Sequence, residues 1–434
     1  MNAGPPPIPP AIPARQAEEL HPVPSSERLE TIDTLRGFAL LGILLVNIAL
    51  FSWPLFYEMV SRHAWVTRRD VVAEWLGQVL AEGKFYPLFS FLFGLGVSIQ
   101  MERAKECGRN CAGLLCRRLL VLLGFGLAHA FLLWEGDILV LYAVCGFLLL
   151  AFQERQPKTL LIWAGICLLL PVLLYALFCA LLSVASLVPE VAKGIEAEFD
   201  KERASYQQLV QDNLRIFSQG STAEIFGRRA KNVLTMWQFT WFFAPTFFGM
   251  FLLGMYAGQR RILHEIESHQ RMIRRVLVWG LAAGLPANVV FAFASRSGDA
   301  LEINFASVLA MAGSSLGGPA LGLAYAAGLS LLMRHQRWRN NLRPITAAGR
   351  MALTNYLMQS VICTTLCYSY GFGWYGSLGR ASGMGGAVVI YSVQVLWSLY
   401  WLKRFRFGPA EWLWRTLTYG KPQPMRLAPD LAAR

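Results

Sequence analysis

The chain has 434 residues, of which 55% are apolar, 13% aromatic and only 15% charged, less polar surface than a soluble domain of this length needs. Apolar runs of eighteen or more residues recur, long enough to cross a hydrocarbon core of roughly 30 Å as helices, and their continuity favours helices over a β-barrel, whose strands alternate. A net charge of +13 would suit nucleic acid, but the Lys and Arg residues sit in short segments between apolar runs with no zinc-finger or RNA-binding signature, which points to anionic lipid headgroups instead.

Residues 1–30 are rich in Pro and polar residues and lack the short apolar core of a signal peptide, so they read as a disordered cytoplasmic tail. Residues 31–188 hold transmembrane helices one to five. Helix one covers 34–56, with Thr31, Asp33 and Thr34 as cap candidates and Pro54 at its outer end. Residues 71–80 are too short to span; with 85–99 they make either one helix broken near Gly83 or an interfacial helix followed by a span. Helices three (119–134) and four (138–152) are joined only by Glu135, Gly136 and Asp137, an antiparallel hairpin. Helix five covers 160–188. Hydropathy then collapses, and 189–235 reads as an extracytoplasmic amphipathic helical segment.

Residues 236–404 hold helices six (239–257), seven (276–294), eight (305–333), nine (351–370) and ten (387–402), and 405–434 reads as a polar cytoplasmic tail. The fold class is therefore all-α, a polytopic membrane protein with about ten transmembrane helices. Basic residues cluster in alternate links, among them Arg103, Lys105, Arg117, Arg118, Arg260, Arg261, Arg337, Arg339 and Lys403, which places both termini in the cytoplasm. Arg62, Arg68 and Arg69 in the first outer link are the exception. Small-xxx-small pairs at Gly254/Gly258, Gly280/Gly284 and Gly313/Gly317 mark close helix packing. The cluster Gly313, Gly317, Gly318, Pro319 either packs likewise or breaks helix eight to line a cavity. Five of the eight cysteines lie in apolar runs as small core residues; Cys107, Cys111 and Cys116 share a basic loop with no nearby His and read as free thiols rather than a metal site.

Among six His residues only His129 falls inside a span, where an ionisable group needs a partner or a function. At 1.5 Å per residue it lies roughly 16 Å along the axis from Arg118, so Arg118 marks the cytoplasmic mouth and His129 the outer half of the bilayer. If Asp137 reaches back to the imidazole it fixes the tautomer a general base requires; otherwise His129 is a core residue bonded to a carbonyl. Arg36 is either a snorkelling anchor or a ligand contact, and Lys84 either meets an anionic ligand or marks the break in helix two. Asn47 and Asn355 are polar residues within apolar runs, and Gln359 extends Asn355 into a stripe on helix nine. Arg117 and Arg118, with Arg103, Lys105 and Arg109, suit the phosphates of a donor such as acyl-CoA or simply attract anionic lipid.

Three stretches carry a likeness: RLETIDTLRGFALLGILLVNI, RRLLVLLGFGLAHAFLLWEGDILVLYAVCGFLLL, and GRMALTNYLMQSVICTTLCYSYGFGWYGSLGR with FRFGPAEWLWRTLTYGKPQPM. They resemble the bacterial YeiB family of inner-membrane proteins, a domain of unknown function, and the likeness spans nearly everything after the Pro-rich tail. More distantly, Asp33, Arg36, Gly37 and Asn47 resemble the first helix of the heparan-glucosaminide N-acetyltransferase-like proteins, and Arg118 with His129 resembles an Arg, ten residues, His pattern of the type-three acyltransferases. That resemblance implies acyl transfer across the membrane: Arg117 and Arg118 hold a cytoplasmic acyl-CoA donor, and His129 with Asp137 activates a hydroxyl- or amine-bearing acceptor. No cofactor is permanently bound and no metal is needed. The pattern departs at Asn47, where the type-three acyltransferases carry a His, so either His129 alone serves as base or the chemistry differs. The broken helix eight and the stripe on helix nine keep a transporter or exporter as the alternative.

Overall fold

The computed structural model describes residues 29–60, 65, 67–106, 112–296 and 304–427. The N-terminal tail expected over 1–30 lies almost wholly outside them, as do Cys107 and Cys111. The described chain is helical throughout, and its one strand-like pairing is an isolated bridge between Phe405 and Arg426. In order the helices are α1 (Glu30–Ser52), α2 (Tyr57–Val60), α3 (Arg68–Leu80), α4 (Phe85–Glu106), α5 (Ala112–Ala128), α6 (Leu139–Leu150), α7 (Pro157–Ala185) and α8 (Pro189–Gln219). They continue as α9 (Thr222–Gln259), α10 (Gln270–Ala294), α11 (Phe305–Ala312), α12 (Gly318–Leu332), α13 (Gln336–Arg350), α14 (Ala352–Cys367), α15 (Arg380–Leu402) and α16 (Pro409–Tyr419). Two π-turns interrupt the bundle, His129–Leu133 after α5 and Gly313–Gly317 between α11 and α12.

Seven described helices are long and apolar enough to cross a bilayer: α1, α5 with its π-turn, α7, α9, α10, the α11–α12 unit and α15. The other three of the ten expected crossings correspond to α4, α6 and α14, which are shorter or more polar. Their composition follows from position. α7, with only 11% of its most apolar window buried, turns Leu161, Ile166, Leu173, Leu177 and Leu181 outward, so it must be greasy around most of its circumference. α14 is lined with buried Thr354, Asn355, Gln359, Ser360 and Thr364, which its neighbours shield from the surroundings.

Close helix contacts set the frame. α4 and α9 interlock through Gly94 against the Phe251 carbonyl and Gly254 against that of Phe91, where any Cβ would collide with backbone. α10 and α12 meet at Gly280 and Gly284 in the same way, as the small-residue spacing predicts. The glycines of the second π-turn are likewise packed: Gly313 and Gly317 lie on Ala287, and Gly318 abuts the Gly83 carbonyl. That cluster is a close crossing between α10, the α3–α4 corner and α12. At the corner itself Gly83 has φ 76°, and the fully buried Lys84 donates to the carbonyls of Gln78 and Glu82. The chain breaks near Gly83 into α3 and α4, as both sequence readings of this region allow, and the lysine ammonium meets one carbonyl of the last turn of α3 and one of the corner.

Several segments differ from their sequence reading in extent: α1 runs Glu30–Ser52 with Leu29 at its N-cap, so Thr31, Asp33 and Thr34 lie inside the helix, and α10 and α15 begin at Gln270 and Arg380, before their expected starts. The segment 189–235 is one long amphipathic helix, α8, followed by the first turns of α9, which begins seventeen residues before the expected start of helix six. A capping box fixes that start, with the Ser221 hydroxyl and the Glu224 carboxylate each serving the other's backbone N–H. The tail after 404 folds back as α16, closed by Gly420 in the left-handed region at φ 70°. Its Glu411 carboxylate accepts from the Leu353 and Thr354 amides at 2.6 and 3.1 Å and from the Thr354 hydroxyl at 2.6 Å, capping α14. Its Trp414 indole donates to the Arg118 carbonyl at 3.0 Å.

Candidate functional site

α5 does not end as a regular helix. Its last turn widens into the π-turn His129–Leu133, closed by the Trp134 amide donating to the His129 carbonyl at 2.9 Å. Such single-turn bulges re-aim a side chain without ending the helix. The chain then passes through Gly136, where a Cβ would strike the Trp134 ring, and reaches Asp137 at the foot of α6. One Asp137 oxygen accepts from the Val140 amide at 2.8 Å, capping α6; the other lies 2.8 Å from His129 Nδ1. The eight-residue return from helix to carboxylate that the sequence left open is thus made.

His129 is 1% exposed. Its second ring nitrogen, Nε2, lies 2.7 Å from Ser360 Oγ of α14, 231 residues away. The network decides the tautomer. Asp137 is already an acceptor toward Val140, so its other oxygen accepts from His129 Nδ1–H. In the neutral imidazole Nε2 is then the bare nitrogen, to which the Ser360 hydroxyl donates. Tyr356, one turn before Ser360, lays its ring 5.0 Å from the imidazole, and Trp134 stands at its edge. The result is an Asp–His–Ser relay inside an apolar bundle, with each ring nitrogen partnered. Nearby, the Tyr86 hydroxyl donates to Asn47 Oδ1, and Asp137 lies close enough to Tyr86 and Tyr356 to act on both electrostatically.

The other sequence candidates fall into two groups. Asn355 and Gln359 share a face as expected, but that face is zipped to α15: Asn355 donates to the Ala348 carbonyl and Ser398, and Gln359 to Gln394, all at 3.0 Å. Lys84 caps α3. Arg36, Arg117 and Arg118 gather at the opposite end of α5 from His129, where α16 joins them. The Arg118 guanidinium stacks 4.1 Å over the Trp414 ring, Arg117 lies beside Gly420, and Arg36 pairs with Asp33 at 3.1 Å. Arg415, on α16, stands within electrostatic reach of both Arg36 and Arg118; burial pushes its guanidinium below the ordinary value, and Arg36 adds to the effect. Three cations thus converge from α1, α5 and α16 with Asp33 and the helix-capping Glu411 as the neighbouring carboxylates, an arrangement suited to a polyanion. Among the described residues no group of His, Cys, Asp and Glu is placed to hold a metal ion.

Sequence reasoning missed Ser360 and Arg415. A serine in an apolar helix carries no signal of its own, and Arg415 lay in what looked like a free tail. The pattern Gly408-Pro409 followed by a Trp-rich, amphipathic stretch to Gly420 was the available hint that the tail is a helix.

Fold and site together define a polytopic membrane protein with a buried polar relay. The chain belongs to the DUF418 family. Residues 257–421 match the model described as "Protein of unknown function (DUF418)". Over 423 residues the chain is 37% identical to "Uncharacterized protein YxaH" of Bacillus subtilis (strain 168), covering 94% of this chain and 98% of that protein. It is 30% identical over 414 residues to "Uncharacterized 39.9 kDa protein in amylase 3'region" of Bacillus acidopullulyticus, which covers 94% of this chain and 99% of that protein. It is 28% identical over 397 residues to "Uncharacterized protein YeiB" of Escherichia coli (strain K12), with 90% and 96% covered. The expected YeiB-like membership holds. Ser360 and Arg415 fall inside the family-model match, whereas His129 and Asp137 precede it.

Proposed function

We propose that this chain is a bacterial inner-membrane acyltransferase that moves an acyl group from cytoplasmic acyl-CoA to a hydroxyl- or amine-bearing acceptor in or beyond the membrane. The observation that carries this reading is the buried imidazole held between a carboxylate and a hydroxyl, 2.8 and 2.7 Å away. A positioned His of fixed tautomer is a general base, and the adjacent carboxylate stabilises the imidazolium formed when it takes a proton. Inside a low-dielectric bundle that stabilisation is stronger than in water.

The basic end supplies the complementary half. Arg36, Arg118 and Arg415, with Arg117 at the rim, would hold the donor's phosphates. The donor's acyl arm would then run roughly 16 Å up the bundle to His129. Both termini and this basic end face the cytoplasm in this scheme. Either Asn47 or Asn355 could donate to the developing oxyanion, and Asn47 suits that role better, since both Asn355 amide hydrogens are engaged by Ala348 and Ser398.

The test uses the full chain in proteoliposomes with labelled acyl-CoA and a membrane extract as acceptor source. Acyl transfer is expected, lost on H129A, and R415Q with R118Q should raise KM for the donor about tenfold or more with a smaller change in kcat. Transfer unchanged in H129A sinks the mechanism. Substrate flux through the same vesicles without donor would favour the transporter instead.

A further inference from the structure

The helical serines of this bundle mostly spend their hydroxyls on their own helix. Ser90 donates to the Tyr86 carbonyl at 2.9 Å, Ser183 to Cys179 at 2.8 Å, Ser330 to Ala326 at 2.7 Å and Ser392 to Val388 at 2.8 Å. That back-bond to the residue four positions earlier is the usual way to bury a serine in an apolar helix. Ser360, 1% exposed, has its hydroxyl on His129 Nε2 instead. The contact is built from both sides: the π-turn aims the imidazole, and Glu411 of α16 pins the start of α14. Ser360 lies eight residues into α14, roughly 12 Å from that end. His129 is a similar depth from Arg118. The two residues therefore meet well away from the basic end, with His129 four residues short of the far end of its span at Leu133.

We propose that Ser360 is the catalytic nucleophile, carrying the acyl group covalently between donor and acceptor. This rests on the acyltransferase reading and adds to it a double displacement. In the first half, Ser360 Oγ attacks the thioester carbonyl while its proton passes to His129 Nε2; the C–O bond forms and the C–S bond breaks. The leaving thiolate takes that proton, giving a Ser360 ester and free thiol. In the second half, the acceptor hydroxyl or amine gives its proton to Nε2 and attacks the ester, and Ser360 Oγ leaves with the proton restored. Asp137 holds the ring through both halves.

This ordering has a physical rationale in the fold. The donor's cations lie at one end of α5 and the relay is buried well away from it, so a covalent carrier lets donor and acceptor use the centre in turn. No ternary complex has to fit inside a packed bundle.

The experiment incubates the purified full-length protein with acyl-CoA labelled in the acyl group, without acceptor. About one label per chain is expected on the peptide containing Ser360, with a matching burst of free thiol, resistant to neutral hydroxylamine as an oxygen ester is. S360C should shift the label to a hydroxylamine-sensitive thioester, a signature that a merely structural serine would not produce, and it also guards against a folding defect in S360A. S360A should lose both label and transfer by about 10³-fold or more. A fluorophosphonate probe, which needs no donor, should label Ser360 only while His129 and Asp137 are intact. If transfer persists in S360A, or if wild type transfers with neither label nor burst, the covalent step is wrong and the acyltransferase reading stands. If wild type shows no transfer from any acyl-CoA, both fall.

Discussion

Two buried polar groups meet at the α5–α6 hairpin, and they are built on opposite principles. In the first, His129, Asp137 and Ser360 are partnered at both ring nitrogens and both carboxylate oxygens. In the second, Arg229 is 1% exposed and donates through one nitrogen to the Leu132 carbonyl at 2.7 Å, while its Nε stands 4.0 Å from Glu135. Asn232 donates to Glu135 at 3.0 Å, and Arg228 to Asn213 at 2.5 Å. Yet Arg229 Nε and Nη2, Glu135 Oε2, Asn213 Nδ2, Asn232 Oδ1 and Trp134 Nε1 have no hydrogen-bond partner among the described residues. Aromatic faces cover the guanidinium instead, Phe226 at 4.9 Å and Tyr368 at 5.8 Å. The contrast teaches that burial alone does not mark a reacting centre. The first group is held by hydrogen bonds at every ring nitrogen and carboxylate oxygen, as the proposed proton transfer requires, whereas the second makes a few hydrogen bonds and leaves its other polar atoms to charge and ring contacts.

The largest effect should come from D137N. The amide can still cap α6, but it can present an N–H to His129 Nδ1 and so favour the wrong tautomer; kcat is expected to fall about 10⁴-fold with little loss of stability. A small kinetic change would erase the distinction between the two groups. Next, R229M removes the cation 4.0 Å from the buried Glu135 and should destabilise the protein by about 3 kcal/mol or more, read as a lower unfolding temperature in detergent. The double variant R229M/E135Q should recover most of that loss and keep acyl transfer. If it instead abolishes transfer at wild-type stability, the second group belongs to the chemistry.

How much of this was legible in the sequence follows the range of the interactions. His129 and Asp137 were readable because an ionisable residue in a span is costly, and its partner lay on the adjoining hairpin. The packing of Gly254, Gly280 and Gly284 was readable because glycine spacing is local, whereas the α3–α4 corner at Gly83 fits both readings left open for helix two. Ser360 was not, since nothing within α14 separates the serine that meets His129 from those that back-bond. Lys84 stood undecided because capping and ligand binding ask for the same residue; only the direction of its ammonium decides. The count of crossings was the least secure, because α6 and α14 sit inside the bundle and do not need the hydropathy that identifies α7.

The smallest effect provides the sharpest control. Asp70 does for α15 what Asp137 does for α6: one carboxylate oxygen accepts from the Ala381 amide at 2.9 Å, but the other meets the Thr67 hydroxyl rather than an imidazole. The Thr67 hydrogen bond holds the Asp70 carboxyl below its ordinary value, with the Ala381 amide adding to it against the opposing effect of burial. A carboxyl whose folded pKa is depressed binds fewer protons in the folded state. Its stabilisation is therefore complete above the unfolded value near 4 and drains away as pH falls through the lower folded value. D70N can still accept from the Ala381 amide, so it should lower the unfolding temperature at pH 7 only by the lost charge at the helix start, about 0.5 kcal/mol, and that deficit should shrink below pH 4. Its kcat should stay within about twofold of wild type. Both aspartates cap a helix, so if D70N and D137N prove equally harmful to turnover, the loss at Asp137 is a capping defect and its partnership with His129 has no catalytic meaning.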